Sequence, residues 1–174
     1  MGVSTSITAG ADAAVSKLTI EVSRERLCQS LAAIAGERSP FSDQRHLAEV
    51  EDYVESELRN YGLVVESDFF TYSGQRYRNI VGRLGGRQQA PIVLGAHIDA
   101  VEGTPGADDN ASGVAVMLEA ARVLSRADLP SPILFCAFNL EELNMVGSST
   151  FAAKLKAAGP NIVSMIALEM VGYT

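Results

Sequence analysis

The sequence predicts an α/β protein, a three-layer α/β/α arrangement around a mixed, mostly parallel sheet. Three observations point there. Short apolar runs bounded by turn residues, Pro91–His97, Pro132–Phe138 and Ile162–Val171, read as buried strands. Helical spacing lies between them, as at Val114, Met117, Leu118, Ala121 and Leu124. Helices that alternate with buried strands form crossovers of a largely parallel sheet. The chain has 174 residues, 47% hydrophobic and 20% charged, which is the size and composition of one ordinary domain.

The elements follow in order. Residues 1–10 are small and polar and read as a loose end, with the domain proper over 11–174. From Asp12 to about Glu37, Val15, Leu18, Val22, Leu31 and Ile34 recur at multiples of three and four, which gives one long amphipathic helix or two short ones. A loop at Arg38–Ser42 follows. Leu47, Val50, Val54 and Leu58 then mark a helix over Asp43–Tyr61, stopped by Gly62. β-forming residues resume at Val64 and predict two strands, 64–73 and 77–84, broken at Ser73-Gly74 and closed by Gly85-Gly86. Phe151–Ala158 reads as a helix ended by Gly159-Pro160.

Composition removes several functions. The net charge is −7 and no Lys/Arg cluster occurs, so nucleic acid is a poor partner. No apolar run approaches the roughly 20 residues of a membrane span. The N-terminus lacks a basic start followed by an apolar stretch, so a cytoplasmic location is expected. Cys28 and Cys136 are too few for a disulfide framework, and Cys136 reads as a small buried hydrophobe. Neither G-x-G-x-x-G, G-K-[ST] nor G-x-S-x-G is present, and the Asp-rich stretch 106–113 lacks the spacing of a calcium loop.

In open α/β sheets, ligands bind beyond the carboxyl ends of the strands. Three predicted strands end in the least ordinary residues of the chain. One ends in Ala96-His97-Ile98-Asp99 and runs into Gly106-Ala107-Asp108-Asp109-Asn110-Ala111-Ser112-Gly113. The second ends in Asn139-Leu140-Glu141-Glu142, and the third carries Glu169. One imidazole among several carboxylates suits a borderline metal such as zinc. Asp99, two residues beyond His97, could accept the second imidazole N–H and fix the tautomer. Asp109, between Gly106 and Gly113, sits where close backbone approach suits a carboxylate shared by two ions. Of the paired glutamates, one could bind metal and the other accept a proton.

Plainer readings exist for each residue. Asp108-Asp109-Asn110 could be a polar turn capping the next helix, Glu141-Glu142 a solvated pair, and His97 a satisfied core histidine. Glu169 is harder to dismiss, because a carboxylate inside an apolar strand needs a partner or a metal.

Together, Ala96–Asp99, Gly106–Gly113, Glu141–Leu143 followed by Gly147-Ser148, and Glu169–Tyr173 resemble the co-catalytic zinc aminopeptidases of the bacterial leucyl aminopeptidase and aminopeptidase Y type. The resemblance covers roughly residues 30–174. It implies a phosphorylase/hydrolase-like fold, two zinc ions and a peptide substrate with a free N-terminus. It further implies that His97 binds one zinc, that Asp109 bridges both, and that Glu142 binds the second. Glu141 would be the general base and Asp99 would orient His97. Glu169 would stand where the family more often has Asp as a ligand to the first zinc, and Asp108 would be a neighbour rather than a ligand. The family's second histidine ligand lies well downstream. His46, the only other histidine, falls on an early helix and is expected to face solvent or a helix neighbour. The chain thus resembles the front part of a single exopeptidase domain, truncated at the C-terminus, with low or absent activity expected of these 174 residues alone.

Alternatives of other kinds share parts of this pattern. A glutaminyl cyclase-like transferase would use one zinc and the same acids. A non-catalytic relative would keep the fold as a binding surface, although such relatives usually lose ligands. Two-domain zinc deacylases and carboxypeptidases share H-x-D and E-E, but Gly106–Gly113 running straight into a helix resembles the single-domain group better.

Overall fold

The computed structural model describes residues 15–85, 90–129, 131–159 and 161–173. The expected loose end over 1–10, the first helix before Val15, Gly86 and Pro160 lie outside them. Of the two readings of Asp12–Glu37, the described part follows the second: a helical segment at 15–20, a break, and helix α1, Arg24–Ile34. Ser23 makes the break stable, because its hydroxyl accepts the Arg26 N–H at 3.3 Å as an N-cap.

Helix α2, Gln44–Asn60, is capped by Asp43, whose carboxylate accepts the His46 N–H at 3.0 Å. It buries Leu47, Val50, Val54 and Leu58, the stripe visible in the sequence. Strands β1, Val64–Tyr72, and β2, Gln75–Leu84, form an antiparallel hairpin. Its two-residue turn, Ser73-Gly74, has φ of 50° and 79°, the left-handed pair that matches strand twist. Pairing therefore starts at Tyr72–Gln75, and β2 begins two residues before the expected position 77.

Strand β3, Ile92–His97, leads through a turn at Ala107–Ser112 into helix α3, Gly113–Leu124. Strand β4, Ile133–Phe138, helix α4, Val146–Ala158, and strand β5, Ser164–Ala167, complete the fold. The sheet order is β1-β2-β4-β3-β5. β3 pairs parallel with both β4 and β5, whereas β2 is antiparallel to both β1 and β4. Four of the five strands thus run the same way and β2 alone opposes them.

Central strand β4 is buried throughout, and its alternation divides the core. Ile133, Phe135 and Ala137 join Ile34 of α1, the α2 stripe, and Val114, Met117, Leu118 and Ala121 of α3 on one face. Leu134, Cys136 and Phe138 face the other way, with Val93 and with Phe151 of α4, whose ring lies 5.7 Å from that of Phe138. The result is the expected three layers. Burial pushes the Cys136 thiol well above its ordinary pKa, in keeping with an inert core residue.

The apolar run Ile162–Val171 predicts a single buried strand, whereas β5 covers only Ser164–Ala167 and is exposed along its length. It has a single neighbour, β3, so nothing in the described residues covers its outer side. No helix among the described residues is long and apolar enough to cross a membrane.

The α2 stripe should be the most sensitive part of the core. Leu58 is fully buried and also touches the space above Gly82, where an added Cβ would meet its Cδ1 at 3.0 Å. Leu58→Ala should destabilise the protein by about 2–5 kcal/mol in urea unfolding. A cost below about 1 kcal/mol would mean that this packing is not as described.

Candidate metal centre at the strand ends

Three adjacent parallel strands, β4, β3 and β5, bring their C-terminal ends to one rim. The register pairs His97 with Phe138 and Gly95 with Ala167, so Glu169 and the 139–142 loop leave the sheet at the level of His97. The imidazole is 3% exposed. Its Nδ1 lies 3.1 Å from the Asp99 carbonyl oxygen, which can only accept, so this nitrogen carries the hydrogen. Nε2 faces the acids: Asp109 Oδ1 at 3.0 Å, Glu169 Oε1 at 3.2 Å and Glu141 Oε2 at 3.9 Å.

The expected contact from the Asp99 carboxylate to His97 is long, at 3.6 Å. Its two oxygens accept the backbone N–H groups of Glu141 and Glu142, at 3.0 and 3.1 Å. Asp99 is fully buried and so fixes the glutamate loop more directly than the imidazole. The loop is also held from behind. Asn79 Oδ1 accepts the Asn139 N–H at 3.0 Å, and Asn139 Nδ2 donates to Glu51 Oε1 at 2.7 Å.

The turn at Ala107–Ser112 satisfies two of the sequence readings together. Asn110 Oδ1 accepts the Gly113 N–H at 3.1 Å and so caps α3, while Asp109 turns toward His97. Asn110 Nδ2 also donates to the Leu168 carbonyl at 2.8 Å, which ties the turn to the segment carrying Glu169. Asp108 Oδ1 accepts the Gly172 N–H at 2.8 Å, and Ser112 Oγ accepts the Val171 N–H at 3.0 Å. Asp108 is therefore a neighbour with its own backbone partner.

Crowded carboxylates and burial shift the titrations. Burial opposes a charged His97, but the nearby Asp99 carboxylate, then Glu169 and Glu141, outweigh it and push its pKa up to about 9. Glu142 is held above the usual carboxylate range, first by burial and then by the charge of Asp109. Glu169 is raised as well, chiefly by burial, with His97 working in the opposite direction.

Two groups of side chains could hold a metal ion: His97 with Asp109 and Glu169, and His97 with Glu141 and Glu142, the ligand atoms of each lying within 4.8 Å of one another. Among the described residues no such group contains both Asp109 and Glu142. Glu142 Oε1 is buried without a hydrogen-bond partner, the state of an oxygen suited to a cation. The donor set, one imidazole nitrogen and carboxylate oxygens, fits zinc. His46 belongs to neither group. Its Nε2 lies 3.2 Å from the Ile34 carbonyl, against the α1–α2 junction.

Sequence reasoning missed Arg38, placed in a connecting loop. It is completely buried, with its guanidinium bonded to the carbonyls of Ile98, Gly36, Pro105 and Gly106. No periodicity marks such a residue. Its partners are backbone atoms some 60 to 68 positions away, apart from Gly36.

The chain is similar in sequence and fold to several known proteins. Leucine aminopeptidase 1 of Emericella nidulans is 32% identical over 126 residues, 65% of this chain and 32% of that protein. The structure of LapB from Legionella pneumophila superposes with a TM-score of 0.76 at 27% identity, covering 92% of this chain and 47% of the other. Porphyromonas gingivalis glutaminyl cyclase gives a TM-score of 0.70 at 26% identity over 84% of this chain and 57% of the other. The chain spans 41% and 32% of the length of two curated relatives that it matches. The sequence model of peptidase family M28 matches residues 79–174. That match takes in more than half the chain and every strand-end residue gathered around His97, and the chain accordingly belongs to peptidase family M28.

Proposed function

We propose that the chain serves a zinc-dependent aminopeptidase, hydrolysing the N-terminal bond of peptides, and that residues 11–174 are part of a single exopeptidase domain. The observation that carries this reading is the convergence of His97, Asp109 and Glu169 within ligand distance of one another, beside a buried, unpartnered oxygen of Glu142. In this reading His97, Asp109, Glu142 and Glu169 would hold the metal. Bound zinc lowers the pKa of a coordinated water and polarises a carbonyl oxygen.

The chain's own groups do the rest. Glu141, partly exposed at the rim, takes the proton of the attacking water and returns it to the leaving amine. Asp99 holds the backbone of both glutamates, so that proton transfer and metal holding are done by neighbouring residues of one loop. The cluster of acids attracts the α-ammonium of a free N-terminus, which favours an exopeptidase. A second reading, a glutaminyl cyclase-like transferase, is favoured by the similarity to the Porphyromonas gingivalis enzyme.

In a longer protein that carries this chain and supplies a downstream histidine, zinc-dependent release of an anilide from an N-terminal leucyl substrate, abolished by N-acetylation of that substrate, is the expected result, with little or none from these 174 residues alone. Ring closure of N-terminal glutamine without anilide release would move the assignment to the second reading. No zinc binding would remove both. Glu141→Gln should lower hydrolysis by about 100-fold or more while the zinc dissociation constant stays within about threefold.

The histidine titration sets the pH dependence. The folded pKa, about 9, lies above the ordinary 6.5, so metal-free His97 is protonated at neutral pH. Its protonated form adds stability that is complete below 6.5 and lost as pH rises through 9. Zinc must displace that proton, so affinity should climb as pH approaches 9, with proton release visible in calorimetry across buffers of different ionisation enthalpy. Uptake without proton release would contradict the assignment of His97 as a ligand. Asp99→Asn replaces an acceptor of a buried N–H by an N–H₂ group and should cost about 1–3 kcal/mol in urea unfolding.

A further inference from the structure

Twelve positions separate His97 from Asp109, yet Nε2 and Oδ1 stand 3.0 Å apart. The intervening segment leaves the end of β3 and returns without a strand or helix of its own until the turn at Ala107. A single side chain joins the two ends of that excursion. Arg38 Nε donates to the Ile98 carbonyl at 2.6 Å, immediately after His97. Its other two nitrogens donate to Pro105 and Gly106, at 3.0 and 2.7 Å, immediately before the turn. A fourth bond, to Gly36 at 3.0 Å, anchors the guanidinium to its own segment. The two segments are tied further by Gly36 N–H to the Pro105 carbonyl at 2.8 Å and by Gly103 N–H to Glu37 Oε1 at 3.1 Å.

The partners of Arg38 are neutral carbonyls, so its charge is not cancelled by a direct carboxylate contact. Asp99, Asp109 and Glu142 act on it through space and favour its charged form, although burial brings its pKa down to about 10. A fixed cation therefore stands behind the acids that face the candidate metal centre. A planar fork with five N–H donors can satisfy carbonyls on both strands of a loop at once, which an ammonium on a flexible stem cannot do in the same geometry. Gly106 makes room for it. With φ of 49°, an added Cβ there would lie 2.6 Å from Ala100 Cβ, 2.7 Å from Arg38 Nη1 and 2.7 Å from the Asp109 carbonyl oxygen.

We propose that Arg38 is the positioning residue of the metal centre: by clasping Ile98 to Pro105 and Gly106 it sets the separation of His97 and Asp109. This rests on the metal reading above. Arg38 touches neither substrate nor metal and acts through the loop.

Zinc chloride binding, measured by competition with a chromogenic chelator and by the zinc-induced rise in Tm, tests it. Arg38→Lys keeps the charge and loses the fork. Its zinc dissociation constant should rise by about tenfold or more, and its zinc-induced rise in Tm should shrink. Gly106→Ala changes no charge and no candidate ligand side chain; its Cβ would crowd Arg38 Nη1 together with Ala100 and the Asp109 carbonyl, so it should weaken zinc in the same direction. It keeps the proposal open to test if Arg38→Lys fails to fold. The double variant should bind zinc less than additively weaker than the two single variants predict, because both act on one loop. Leu58→Ala, unstable for an unrelated reason, should leave the zinc dissociation constant within about twofold of the parent. If folded Arg38→Lys or Gly106→Ala binds zinc as the parent does and merely melts earlier, Arg38 is a structural arginine and the proposal is overturned. A parent chain that binds no zinc overturns the metal reading and this proposal with it.

Discussion

Five carboxylates, those of Asp99, Asp109, Glu141, Glu142 and Glu169, crowd around or behind one buried imidazole. Like charges at such distances repel, and burial raises the cost of each. The structure tolerates the concentration because positive charge is supplied at the same place. Protonated His97 sits among the acids and the Arg38 guanidinium stands behind them. This electrostatic requirement links the candidate site to the fold, since both the imidazole and the guanidinium are almost completely buried.

Backbone positions are controlled by side chains throughout the rim. Asp99 holds the N–H groups of Glu141 and Glu142, Asn110 joins the Asp109 turn to the segment of Glu169, and Arg38 closes the loop from His97 to that turn. Each is buried and each bonds main-chain atoms, so none is free to rotate without leaving donors or acceptors unpaired. Side chains carried on loops are thereby given the precision expected of groups on strands and helices. Asn79 and Asn139 extend the same principle to the back of the glutamate loop, where Glu51 connects it to α2.

The legible part of the molecule was its periodic part. The Leu47–Leu58 stripe faces the core as its spacing requires, and the alternation of Ile133–Phe138 divides between the two layers of helices. His97, Asp109, Glu141, Glu142 and Glu169 could be picked out because polar residues at the ends of apolar strands are unusual, and the strand ends do meet at one rim. The β5 region was less legible. An apolar run does not reveal whether the sheet continues beyond it, and the described residues leave this strand exposed.

Residue type and local spacing were therefore enough to determine the layers and the strand ends and to single out the polar residues gathered there. They act through neighbours a few positions apart, where the pitch of a helix or the pleat of a strand translates sequence into direction. Only the tertiary structure decided that Arg38 joins Ile98 to Pro105 and Gly106, that the Asp99 carboxylate serves two glutamate amides ahead of the imidazole, and that Asn110 joins the Asp109 turn to the segment of Glu169. Those bonds join a side chain to backbone atoms distant in sequence. Every residue offers the same backbone groups, so no pattern of residue types announces which of them a buried fork or carboxamide will meet.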